Sequence, residues 1–138
     1  MREIKYIVIH CTATKKTATI RSIQTYWETQ LGWKNPGYHY IIDCKGTIKR
    51  LIGEGFIANG VAGYNSHAIH VAYIGGVDND NHPKDTRTPE QLWSMELWIS
   101  NLKARFPNAV ILGHRDFPGV KKACPSFDVK TWLNEAKI

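Results

Sequence analysis

The apolar positions along the chain follow two rhythms. Residues 4–10, IKYIVIH, are dense in β-branched side chains and predict a buried strand ending on His10. The spacing then lengthens: Ile20, Ile23, Trp27 and Leu31 recur as on a helix face, with Thr19 as cap and Gly32 as stop. Asn35-Pro36-Gly37 marks a turn, and residues 38–52 read as two short strands around Lys45-Gly46. The glycine-rich residues 53–68 predict a long surface loop. IHVAYIGG, residues 69–76, predicts a second buried strand, and the polar residues 77–87 another loop. Thr88 and Pro89 open a helix whose apolar stripe is Trp93, Leu97 and Leu102, running down to Arg105. AVILGH, residues 109–114, predicts a third central strand, again ending in histidine. FDVKTWLNEAKI closes the chain as a helix with Asp128 near its start. Strands alternating with helices, without repeats or linkers, predict one mixed α/β domain over residues 1–138.

Composition narrows the function classes. At 138 residues with 43% apolar and 22% charged content, the chain can bury a core without disulfides. No apolar run approaches membrane-spanning length, and the opening burst is too short for a signal peptide, so the protein is expected in the cytoplasm as synthesised. The net charge of +6 suits an anionic partner. It is scattered, with its tightest clusters at Lys15-Lys16 and Lys121-Lys122, and no nucleic-acid motif accompanies it, so no nucleic-acid partner is expected. Three cysteines without a CxxC pair argue against a disulfide framework or a zinc ribbon. Cys11 and Cys44 read as buried thiols.

Two strands that end in histidine are the main chemical signal, because α/β folds place sites at the carboxyl ends of central strands. If those strands are neighbours, His10 and His114 meet, and the loop after His114 is long enough to bring Cys124 back to the same edge. Two imidazoles and a thiolate suit a tetrahedral Zn²⁺ with water in the fourth place. Spacing alone favours the plainer reading, polar strand ends and a buried thiol, over the metal.

The segments IVIHCTAT, GYHYIID, GYNSHAIHVAYIGGVD, GHRD and KACPSFD occur in this order over most of the chain. Together they resemble the zinc-dependent N-acetylmuramoyl-L-alanine amidases of the phage T7 lysozyme type, which are related to the peptidoglycan recognition proteins. The resemblance implies a mixed central sheet flanked by helices, a zinc cleft on one face and one Zn²⁺ per chain. It implies hydrolysis of the amide between the lactyl group of N-acetylmuramic acid and L-alanine in peptidoglycan. Matched by motif, the metal ligands are His10, His114 and Cys124, the active-site tyrosine is Tyr38 and the catalytic lysine is Lys122.

Other positions follow from the residues themselves. Asn65 in the glycine-rich loop is a candidate substrate hydrogen-bonder, and Trp33 and Tyr64 are candidate groove walls. His39 is as readily a support for the site as a structural residue. His67, His70 and His82 are assigned no role, as solvated histidines. Relatives often carry a histidine five residues before the asparagine of GYN, where this chain has Gly60, so a substrate contact there is missing or replaced. The loop from His114 to Cys124 is longer than in the T7 lysozyme pattern. The expected protein is a monomeric, endolysin-like enzyme of phage or prophage type, acting on the wall after release or through a holin. The alternatives are a non-catalytic peptidoglycan-binding module, which typically lacks the zinc cysteine, and a regulatory protein.

Overall fold

The computed structural model describes residues 2–138. In chain order its elements are β1 (Tyr6–Cys11), α1 (Ile20–Thr29), β2 (Tyr40–Ile42), β3 (Ile48–Arg50), β4 (Ala68–Tyr73), α2 (Pro89–Arg105), β5 (Val110–Gly113) and α3 (Val129–Ala136). The strands form one mixed five-stranded sheet in the order β3-β2-β4-β1-β5. β1 is parallel to β4 and β5, β2 is parallel to β4, and only the β2–β3 hairpin is antiparallel.

Alternation along the strands sorts side chains between two faces. Ile7, Ile9 and Cys11 of β1 and Ile69, Val71 and Tyr73 of β4 enter the main core with Met95, Ile99 and Leu102 of α2 and Val129 and Trp132 of α3. Val8 and Ala68 turn to the other face, against Val61 and Phe117. On that same face Ile41 and Ile74 pack on Ile23 and Trp27 of α1. Helices therefore flank both faces, as expected, and the second face carries the histidines. No helix among the described residues is long and apolar enough to cross a membrane.

The helix starts follow their caps. Thr19 Oγ1 accepts from Ser22 N at 3.1 Å, and Asp128 Oδ1 accepts from Thr131 N at 3.3 Å. Thr88 and Gln91 form a reciprocal capping box at 3.1 and 2.9 Å.

Several sequence expectations shift here. α1 stops at Thr29, leaving Leu31 outside it and exposed. Of the expected stripe of α2 only Leu102 is buried: Trp93 is 83% and Leu97 68% exposed, and the buried face is Gln91, Met95, Ile99 and Leu102. The phase is set at the first turn, where the Gln91 amide donates to Ile42 O (3.2 Å) and Ile74 O (3.0 Å) in the sheet. A buried polar group keeps its hydrogen bonds at the expense of exposing an indole. The central strands are displaced by one to three residues from the expected bounds. β4 ends early because Gly75 and Gly76 adopt φ of +143° and +100°. Gly76 has a second reason to be glycine, since a Cβ there would lie 2.7 Å from Cys11 Cβ. Cys11 is buried, but Cys44 lies in the hairpin turn and is only half-buried.

The glycine-rich segment packs down rather than floating. Ala58 and Val61 are buried, and Glu54 anchors the start of the segment. Arg105 grips the Glu54 carboxylate with two hydrogen bonds of 2.7 and 2.8 Å, and Tyr40 donates its hydroxyl to the same group. Arg2 binds Glu54 O (2.7 Å) and Ala68 O (3.1 Å), holding both ends of the segment together. The Arg105 hydrogen bond, outweighing burial, holds the Glu54 carboxyl below the usual carboxylate range. A folded-state pKa below the unfolded one stabilises above the ordinary carboxylate range, and that stability is lost as pH falls through the folded value. Arg105→Ala is expected to cost about 1 kcal/mol, because the pair is bidentate yet Arg105 is partly solvated. Urea unfolding at neutral and acid pH checks this: the gap from wild type should close in acid.

Candidate active site

The β1–β5 register brings the two strand-end histidines together. Ile9 pairs with Gly113, so His10 and His114 follow at one level on adjacent parallel strands. His10 is still on β1 and buried, whereas His114 opens a 3₁₀ turn, His114–Asp116, and is half-buried. Their rings lie 4.9 Å apart. Gly113 N donates to Asp116 Oδ2 at 2.8 Å, which fixes the turn that aims His114. The return of Cys124 is fixed by the backbone: Arg115 N donates to Cys124 O at 2.9 Å. The Cys124 sulfur then accepts from Cys11 N at 3.2 Å and lies 3.8 Å from His10 Nδ1. One ligand atom from each of His10, His114 and Cys124 lies within 4.8 Å of the others.

This donor set fits zinc. Two imidazole nitrogens and one thiolate leave the fourth tetrahedral position open, as catalytic rather than structural zinc sites do. Burial holds His10 well below the usual histidine pKa, with smaller contributions from His70, His114 and Lys122. Burial and then Lys122 lower His114 as well. Both rings are thus neutral, the form that ligates a metal. Without a cation the Cys124 thiol is raised, first by its hydrogen bond with Cys11 and then by burial, while Cys11 is lowered to about 7 by the same pairing. A divalent cation reverses that order, because a coordinating thiol is deprotonated outright. The Cys11 N–H already points at the Cys124 sulfur as an acceptor.

Comparison with known proteins gives the family. Residues 1–127 match the family described as N-acetylmuramoyl-L-alanine amidase. The chain belongs to that family. It is 36% identical over 139 positions to the endolysin of Klebsiella phage KP32, covering 99% of this chain and 90% of that one. It is 35% identical over 134 positions to the endolysin of Escherichia phage T7, covering 96% and 87%. The fold matches the Ph2119 endolysin from the Thermus scotoductus MAT2119 bacteriophage with a TM-score of 0.82, at 21% identity over 99% of this chain and 86% of that one. The protein is an N-acetylmuramoyl-L-alanine amidase of the T7 lysozyme and peptidoglycan recognition type, a hydrolase of peptidoglycan.

In the amidase the remaining candidates fall into two groups. Tyr38 lies beside the metal-ligand cluster, its ring 5.0 Å from that of His10 and 5.3 Å from Trp27, and its hydroxyl donates to Cys11 O at 3.2 Å. Burial, then Cys124 and Cys11, raises its pKa well above the usual value, so it remains a donor at neutral pH. Lys122 is exposed, two residues before Cys124, and its charge is felt at His10, His114 and Cys124. Trp33 is half-buried and stacks on Trp27 at 6.3 Å. Tyr64 is half-buried against Tyr6 (5.7 Å) and Phe117 (4.6 Å), bracing the loop after His114. Asn65 is turned inward: its Oδ1 accepts from Val61 N and faces His70 Nε2, each at 2.8 Å.

The sequence assigns His70 no role. It is not a solvated histidine but a fully buried residue of β4, with its Nδ1 2.8 Å from His10 Nε2. The signal was its place within an apolar strand, in IHVAY, where an imidazole demands partners. His39 is buried too. Its Nδ1 accepts from His70 N at 3.0 Å, and its Nε2 faces Phe56 O at 2.8 Å. His67 Nδ1 lies 2.9 Å from Glu3 O, and His82 is exposed beside Asp78.

Proposed function

We propose that this amidase is zinc-dependent, with His10, His114 and Cys124 holding one ion and Tyr38 and Lys122 acting on the substrate. The observation that carries the reading is the convergence of two neutral imidazoles and a thiol from β1, the end of β5 and the loop before α3. Zinc bound there supplies Lewis acidity, which polarises an amide carbonyl and makes water a nucleophile at neutral pH. The protein's own groups do the rest. The neutral histidines leave the cation largely uncompensated, with Cys124 the single anionic ligand. Lys122 brings a second positive charge to the cleft, where the lactyl carbonyl oxygen gains negative charge as water adds. The Tyr38 hydroxyl, kept protonated, donates to that oxygen or passes a proton to the departing alanine nitrogen as the C–N bond breaks. The products are the lactyl carboxylate and a free L-alanine amine.

Trp33 and Tyr64 border the same face of the sheet and serve as walls for the glycan or peptide. The positive surface favours a polyanionic wall. In this reading the protein acts as a monomer and reaches peptidoglycan after release from the cell or through a holin. The test combines metal analysis with product chemistry. One zinc per chain and chelator-sensitive release of L-alanine amino termini from peptidoglycan are expected. Stoichiometric zinc with binding but no cleavage would favour a recognition module, and no zinc at all would remove the site.

A further inference from the structure

We propose that His70 is a positioning residue that fixes the tautomer and ring orientation of His10, supplying from β4 an imidazole in the space that a side chain at position 60 would occupy. The inference rests on the reading of His10 as a zinc ligand. It is carried by a chain of hydrogen bonds in which each link dictates the next.

The chain begins at a group with only one role. Val61 N is a backbone donor, and it lies 2.8 Å from Asn65 Oδ1, so that atom is the carbonyl oxygen of the amide. A carbonyl oxygen only accepts. His70 Nε2, 2.8 Å from it, therefore carries the hydrogen. A neutral imidazole protonated at Nε2 has its lone pair at Nδ1, and that atom lies 2.8 Å from His10 Nε2. His10 Nε2 must then donate. The remaining lone pair of His10 is at Nδ1, the nitrogen that faces Cys124 Sγ. A backbone amide in the glycine-rich loop thus dictates which nitrogen of His10 is free for the metal.

The sheet makes this contact possible. Val8 pairs with His70 and His10 with Ala72, so His70 and His10 are diagonal neighbours on one face of adjacent parallel strands. The His70 backbone is itself pinned, with its N–H given to His39 Nδ1 at 3.0 Å and the two rings stacked at 5.9 Å and 10°. Gly60 leaves the room. A Cβ at that position would come within 2.5 Å of His70 Cγ and Cε1. A side chain at 60 and the imidazole at 70 therefore exclude one another, which gives the departure at Gly60 a physical meaning.

Ligand histidines usually donate their second nitrogen to a fixed acceptor, and losing that acceptor typically weakens metal binding by about 10- to 100-fold. His70→Leu is expected to show this loss in zinc competition with a chelating dye. His70→Gln, whose carbonyl can accept from His10 and whose amide can donate to Asn65, should recover most of the affinity. Nitrogen-15 spectra of the metal-free wild type should show His10 protonated at Nε2 and bare at Nδ1, and His70→Leu should show a mixture. Equal zinc affinity and an unchanged His10 tautomer in a folded His70→Leu would overturn the proposal. So would a wild-type His10 protonated at Nδ1, a result that stands even if His70→Leu does not fold. Failure of the wild type to bind zinc would remove the metal reading instead, while the metal-free spectra would still decide the role of His70.

Discussion

Cys124→Ala is expected to keep the fold and to lose both stoichiometric zinc and about a thousandfold in kcat/KM, because metal catalysis contributes several kcal/mol at tenfold per 1.36 kcal/mol. The fold survives because Cys124 is only half-buried and its loop is held by the backbone bond from Arg115 to Cys124 and by Tyr73, whose hydroxyl donates to Pro125 O at 2.7 Å. The variant forfeits the weak acceptor that Cys11 N uses. Cys11→Ala is the matched control. The Cys11 thiol pairs with that of Cys124, but it lies on the main-core face of β1, away from His10, and is not one of the three converging ligands. It should keep its zinc. Metal analysis, thermal melting and muropeptide release on the two variants separate the readings. Full zinc in Cys124→Ala would sink the ligand assignment. Lost zinc in Cys11→Ala with an intact melt would mean that the wrong thiol had been chosen.

The parts of this structure legible in the sequence are those governed by local rules. Thr19 and Thr88 cap the helices they are expected to cap, and Asp128, expected near the start of the last helix, caps it, because a side-chain oxygen and the next turn's amides lie close in sequence. His10 and His114 could be paired because both end β-branched runs, and parallel neighbours in an α/β sheet align such ends. The misses that bear on the site depend on long-range contacts. The phase of α2 is not legible locally because Trp93 and Leu97 look like core, whereas Gln91 is drawn into the sheet by carbonyls of residues far along the chain. Asn65 reads as a substrate group because it sits in a glycine-rich loop, and the bonds of its oxygen to Val61 and His70 are invisible from there. His70 is not legible as a partner of His10 because 60 positions separate them, a distance that the β1–β4 register closes. Its counterpart signal, Gly60, was noticed as a departure, but its meaning required the imidazole packed against it.

Lys122→Ala should retain zinc and melt within about 0.5 kcal/mol of wild type, because it is an exposed side chain. Its cost should appear in kcat, by about 10²-fold, the effect of removing one group that meets developing negative charge. Two influences of this lysine must be told apart. Its charge contributes to lowering the pKa of His10 and His114, but burial is the larger cause at both, so their neutrality survives its loss. It also adds to the net charge of +6, which would favour an anionic wall. Lys121→Ala removes the same unit of charge from the adjacent exposed position. Wall attraction alone would affect both variants alike, in KM, and added salt would erase the difference. Stabilisation of the carbonyl oxygen would affect Lys122→Ala alone, in kcat, at any salt concentration, with partial recovery in Lys122→Arg. Equal kcat in Lys122→Ala and Lys121→Ala would reduce Lys122 to one surface charge among many and leave the oxyanion to Tyr38 and the metal.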